Sequence, residues 1–115
     1  MQQQNILMET IKRILILNKR SQYAYEEYLN QKKYYQAKRI YSSNKEIISL
    51  LKELQFSCDS ELIEDVFQYI FHLEDWFLQF HEEEKKITNI ESSFIFDRLE
   101  NSFNFPLDFY KKIKK

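Results

Sequence analysis

Between Ser60 and Lys86 apolar side chains recur every three to four positions. Projected at about 100° per residue, Leu62, Val66, Tyr69, Ile70, Leu73, Trp76, Phe77 and Phe80 fall on one broad face. Phe67, Phe71 and Leu78 flank that face and widen it beyond half the circumference, while Glu61, Glu64, Asp65, Gln68, His72, Asp75, Gln79, Glu82 and Glu83 fill the rest. The pattern predicts a helix over about 60–86. An arc this wide has two readings: a helix central to its bundle, or an interface with another chain through Phe67, Phe71 and Leu78.

The same periodicity runs through the rest of the chain. Leu7, Ile11, Ile14, Leu15, Tyr25, Tyr28 and Leu29 predict a helix over about 5–29, with Asn18 and Ser21 interrupting the stripe and marking a place for a kink. A second stripe, Tyr34, Ala37, Ile40/Tyr41, Asn44, Ile47/Ile48, Leu51 and Leu54, predicts a helix over 33–56. Its phase is unbroken across Ser42-Ser43, which favours one helix over a break at the capping-box pattern Ser43-x-x-Glu46. The turn Ser57-Cys58-Asp59-Ser60 supplies capping residues for the third helix. Thr88-x-x-Glu91 predicts the start of a fourth over 89–101, carrying Ile90, Phe94, Ile95 and Leu99, and Pro106 ends or bends it ahead of a short last helix over 106–114. Segments of similar length joined by short polar turns predict an up-down antiparallel four-helix bundle of one domain, residues 1–115.

Composition sharpens the fold class. The chain has no glycine and one proline, where average usage gives about eight glycines, so turns and phosphate-cradling loops that need glycine are excluded and helix is favoured. The richness in Lys, Asn, Ile, Phe and Tyr is the bias of an AT-rich, low-GC genome. Residues 31–41 resemble part of a tetratricopeptide repeat at Tyr34, Ala37 and Tyr41; the repeat's glycines are missing and the pattern does not recur at that family's spacing, so the resemblance implies helix-pair packing alone. Glu9, Lys12 and Arg13 interrupt the apolar cluster near Ile14–Leu17, so neither a signal peptide nor a membrane span is expected. The lone Cys58 cannot form an internal disulfide, and a cytoplasmic setting is expected.

Charge is near-balanced at −1 but unevenly placed. Residues 1–55 carry ten Lys/Arg against five Asp/Glu, residues 56–104 three against twelve, and residues 105–115 four against one. Oppositely charged helices lying side by side would neutralise one another; otherwise the acids face a partner.

Candidate chemistry is sparse. His72 and His81, nine residues apart, lie on opposite sides of one helix and cannot share an ion, so no metal site is expected; His81 instead sits near Glu74 and Glu84. No nucleophile elbow, glycine-rich phosphate loop or Arg-x4-His ribonuclease pattern occurs. Cys58 fits a packed thiol better than a nucleophile. No cofactor and no enzymatic activity are expected.

The expectation is a non-enzymatic protein-binding module of the immunity or antitoxin type, an inhibitor that masks a basic partner protein with an acidic ridge. Glu61, Glu64, Asp65, Asp75, Glu82 and Glu83 would steer the partner, and Trp76 or Tyr69 would anchor it. Two alternatives stand beside it. Lys19, Arg20, Lys32, Lys33, Lys38 and Arg39 interleave with tyrosines between Tyr23 and Tyr41, a composition suited to single-stranded nucleic acid. A homodimeric secretion chaperone or structural subunit would use Phe67, Phe71 and Leu78 as its interface.

Overall fold

Helix follows helix wherever the apolar phase is unbroken. The computed structural model describes residues 2–95 and 107–113, and within them α1 spans Gln2–Gln31, α2 Tyr34–Leu54, α3 Ser60–Glu84 and the short α4 Leu107–Ile113. The fold is all-α, with three long helices and one short one among the described residues. None of the described helices is long and apolar enough to cross a membrane.

α1 runs without interruption past Asn18 and Ser21. The polar break in its stripe is matched across the helix pair: Ser21 Oγ donates to Oδ1 of the buried Asn44 on α2 at 3.2 Å. That pairing lets α1 continue where a polar side chain facing the core would otherwise carry a desolvation cost. α2 likewise passes straight through Ser43, in keeping with its phase, and Ser42 Oγ bonds back to the Lys38 carbonyl at 3.1 Å. α3 begins as its turn predicts. Asp59 Oδ1 accepts from the amides of Glu61 and Leu62, both at 3.1 Å.

The connection between α1 and α2 consists of Lys32 and Lys33. Lys32 takes the left-handed conformation, φ 51°, that ends a helix and that glycine would adopt without strain; its amide donates to the Tyr28 carbonyl at 2.6 Å. In a chain without glycine a lysine bears this cost.

Three helices in up-down order share two linked cores. Ile14 and Leu17 of α1 meet Ile47, Leu51 and Leu54 of α2 and Val66, Tyr69 and Leu73 of α3, with Phe109 and Tyr110 of α4 completing the cluster. Toward the other end, Ala24 and Tyr28 meet Ala37, Ile40, Trp76 and Phe80, and Phe94 closes that cluster. Phe77 packs against both.

Among the described residues α3 gives way to turns and extended backbone over 88–95, so the four-helix expectation is corrected to three long helices and α4. Residues 96–101 of the expected fourth helix, and Pro106, lie outside the described residues. Local side-chain bonds divert the backbone. Asn89 Oδ1 accepts from the Glu91 amide at 2.8 Å, and Ser92 Oγ accepts from the Asn89 amide at 3.2 Å, so Thr88 does not cap a helix here. The segment then docks on the start of α2. The carbonyls of Ser92 and Ile90 accept from the amides of Tyr34 and Tyr35 at 2.9 and 3.2 Å, and the Phe94 amide donates to the Lys32 carbonyl at 2.8 Å. The first-turn amides of a helix have no partner within it. Here the segment after α3 supplies two of those partners, and Gln36 Oε1 takes the Lys33 amide at 3.1 Å.

Candidate functional surface

The residues singled out in the sequence do not converge on one site. Trp76 is 6% exposed and stacks on Phe80 at 5.2 Å between ring centroids, and Tyr69 is also buried, so the expected aromatic anchors are core residues. Both point from α3 toward the other helices, and only a projection of α3 by itself places them at the border of the acidic face.

The acidic ridge is partly neutralised from within the chain. Lys112 of α4 pairs with Asp65 and donates to the Glu61 carbonyl at 2.9 Å. Asp65 holds the Lys112 ammonium above its usual pKa. Glu82 and Glu83 pair with Lys85 and Lys86 at 3.3 and 3.2 Å along the helix end. Exposed pairs of this kind contribute little. Glu61 and Glu64 present their carboxylates to solvent, and Asp75 is half-buried. The asymmetry along the sequence is therefore offset in part by the basic tail and α2, with the remainder displayed.

Glu84 shows the inward form of that offset. Tyr34 donates to its Oε2, Lys38 Nζ lies 3.2 Å from the same oxygen, and His81 Nδ1 lies 3.1 Å from Oε1. Lys38 also sits 4.3 Å above the Tyr41 ring. Burial pushes the Glu84 carboxyl upward, but the hydrogen bonds from Tyr34, His81 and Lys38 outweigh it and hold its pKa below the usual range. A depressed carboxyl pKa contributes stability above the unfolded value, about 4.3, that is lost as pH falls through the folded value. Glu84→Gln is expected to cost about 1 kcal/mol at pH 7 and nothing once the carboxyl is protonated, as urea denaturation at neutral and acid pH will measure.

The Lys/Tyr segment is dispersed in the same way. Tyr28 is buried and donates to the Phe94 carbonyl at 2.5 Å, Arg39 pairs with Glu27 at 2.8 Å, and Tyr41 stacks on Phe80 at 4.9 Å. Tyr23 alone among these tyrosines is strongly exposed, so no continuous stacking platform forms among them. Cys58 packs against the core beside the α3 cap, and burial raises its thiol pKa. Among the described residues no three His, Cys, Asp or Glu side chains converge as metal ligands.

One side of α3 does gather exposed apolar side chains. Phe67, Phe71 and Leu78 lie within about 40° around the α3 axis and all three are exposed, Phe71 at 60% and Leu78 at 66%. Phe67 and Phe71 stack at 6.4 Å. Leu78 also forms the wall of a groove of about 560 Å³ between α2 and α3. Its floor is Tyr41, Ile48 and Phe77; Lys45 and Lys52 edge it on α2, and Glu74 and His81 on α3. The groove is absent from the sequence-based expectations, although Tyr41, Lys45, Ile48 and Lys52 share one helical edge and that spacing is its available signal. Comparison with protein-family models, with curated proteins and with solved structures gives no significant match.

Proposed function

We infer that the chain is a non-enzymatic protein-binding module whose interface is the exposed stripe of α3 together with the adjoining groove. The observation that carries this reading is the stacked, solvent-facing pair Phe67–Phe71, about two to three turns from Leu78 on the same side of α3, with the groove beside Leu78. Apolar surface gathered in one place, rather than scattered singly, marks interaction sites, and aromatic side chains concentrate interface energy. The carboxylates of Glu61 and Glu64 on the far side of the stripe suit a partner with a basic rim. Inhibition of a basic partner, in the manner of an immunity protein or antitoxin, is the form of the reading that those acids support. A cytoplasmic setting accompanies it, on the ground of the single reduced thiol.

The test compares capture of partners by the wild-type chain, by Phe71→Glu/Leu78→Glu and by Glu61→Lys/Glu64→Lys, each first matched for helicity and melting temperature. A partner recovered stoichiometrically by wild type should be lost from the first variant and weakened, most at low salt, with the second. Full retention by Phe71→Glu/Leu78→Glu would rule the stripe out as the interface.

A further inference from the structure

α4 has seven residues, too few to hold a helix in water without help. Its seat on α3 is chemically particular. The buried Phe109 ring meets Tyr69 edge-on at 5.4 Å, and the Tyr110 ring stands 5.5 Å from Tyr69 while the two hydroxyls share a hydrogen bond. Lys112 pairs with Asp65, whose side chain is only 15% exposed, and donates to the Glu61 carbonyl at 2.9 Å. The seat therefore reads a short pattern: two adjacent aromatics, the second with a hydroxyl, and a cation two positions on. An occupant without the cation leaves a largely buried carboxylate unpaired, which selects against it.

The same seat suits a stronger occupant than α4. Ordering of the whole short helix opposes the docking of α4, and its Asp108 and Lys111 remain exposed in the docked state. A longer helix, already kept ordered by its own protein, makes the same contacts at a smaller entropy cost. The exposed carboxylates of Glu61 and Glu64 stand on the first turns of α3 beside Asp65 and favour the approach of a cationic segment.

We propose that α4 is a displaceable internal occupant, an autoinhibitory contact, and that its seat binds a helical segment of another protein presenting two adjacent aromatics and a lysine or arginine two positions on. Tyr69, Asp65 and the Glu61 carbonyl are the reading groups, in the helix-in-groove manner. This site is separate from the exposed stripe: Asp65 and Phe67 lie about 160° apart around α3.

The test is a titration of the isotope-labelled wild-type chain, at neutral pH and low salt, followed by nuclear magnetic resonance. The probe is an alanine-based helical peptide carrying Phe, Tyr and Lys at the spacing of Phe109, Tyr110 and Lys112. Signals of Asp65 and Tyr69 should shift and the amides of residues 107–113 should lose protection, while the cluster around Phe80 stays unchanged. Phe109→Ala, which empties the seat, should bind the peptide about tenfold or more tightly than wild type, because the open fraction rises. If that variant fails to fold, Lys112→Glu, at an exposed position, opens the same seat. A peptide with glutamate in place of the lysine should bind about tenfold or more weakly. The absence of any shift at Tyr69 with millimolar peptide in the opened variant overturns the proposal, as does binding that leaves the 107–113 amides of wild type protected or is indifferent to the lysine. Unchanged binding to Phe71→Glu/Leu78→Glu supports a seat apart from the stripe, whether or not the stripe itself captures a partner; binding lost in that variant overturns it. A wild-type dimer in which mixed labelling shows α4 exchanged between copies assigns the seat to a second copy and also overturns it.

Discussion

Phe80→Ala should destabilise the fold by about 3–5 kcal/mol, read as a lower urea midpoint with little change in slope. The side chain is completely buried. Its ring stands 4.9 Å from Tyr41, 5.2 Å from Trp76 and 5.0 Å from Phe94. Those three belong to α2, to α3 and to the segment after α3, so one ring ties together elements far apart in the sequence. Truncation leaves a cavity bounded by rigid aromatic rings, which close around a void less readily than flexible aliphatic chains. Among the described residues the Phe94 segment, 88–95, forms no helix, and its docking uses the amides at the start of α2. Loss of Phe80 should therefore speed amide exchange at Tyr34, Tyr35 and Phe94 more than at Leu51 or Leu73 in the other cluster. A loss under about 1 kcal/mol would mean that Phe94 is seated independently of Phe80.

The parts of this structure visible in the sequence are those in which periodicity and burial coincide. α2 is legible through Ser42-Ser43 because Ile40, Asn44, Ile47, Leu51 and Leu54 keep their phase, and these side chains are the ones buried. The cap at Asp59 is legible because a capping carboxylate acts within three residues. Residues 88–95 depart from expectation because local bonds at Asn89 and Ser92 act together with partners far away in the sequence. Thr88-x-x-Glu91 is a sound local signal for a helix start, but carbonyls at Ile90 and Ser92 are taken by the open amides of α2, more than fifty positions away. Nothing local encodes that demand.

The candidate surface is half legible for a related reason. A helical projection separates Phe67, Phe71 and Leu78 from Leu62, Val66 and Leu73, and the structure buries or half-buries the second group while leaving the first outside. The projection gives the spacing of side chains around one helix without the positions of the helices packed on it. It therefore sets Trp76 at an edge that other helices in fact cover, and it has no means of showing the groove, which needs α2 beside α3. The acidic ridge suffers from the same gap. Its neutralisation by Lys112 depends on α4 returning to the first half of α3.

That return is the basis of the second large effect. Phe109→Ala is expected to cost about 3–4 kcal/mol and to release α4 from the bundle. Seven residues cannot sustain a helix in water on their own, so α4 exists through its packing. Phe109 is fully buried and stands 5.4 Å from the Tyr69 ring in edge contact, while the hydroxyls of Tyr69 and Tyr110 share a hydrogen bond inside the core. Burial raises the pKa of both hydroxyls, so the bond joins two neutral groups across the physiological range. Once the Phe109 ring is gone, the packing that offsets the ordering of α4 falls away, and Asp65 loses the Lys112 ammonium at the same time. The released state should exchange the amides of residues 107–113 without protection and raise exposure near Tyr69, while the cluster around Phe80 stays protected until global unfolding. Urea denaturation of Phe109→Ala beside Phe80→Ala separates the two ends of the molecule: local opening at α4 gives a smaller unfolding slope for the first variant, since part of the surface is already exposed in its native state. An unchanged slope with protected α4 amides would show that Tyr110 alone holds the helix in place.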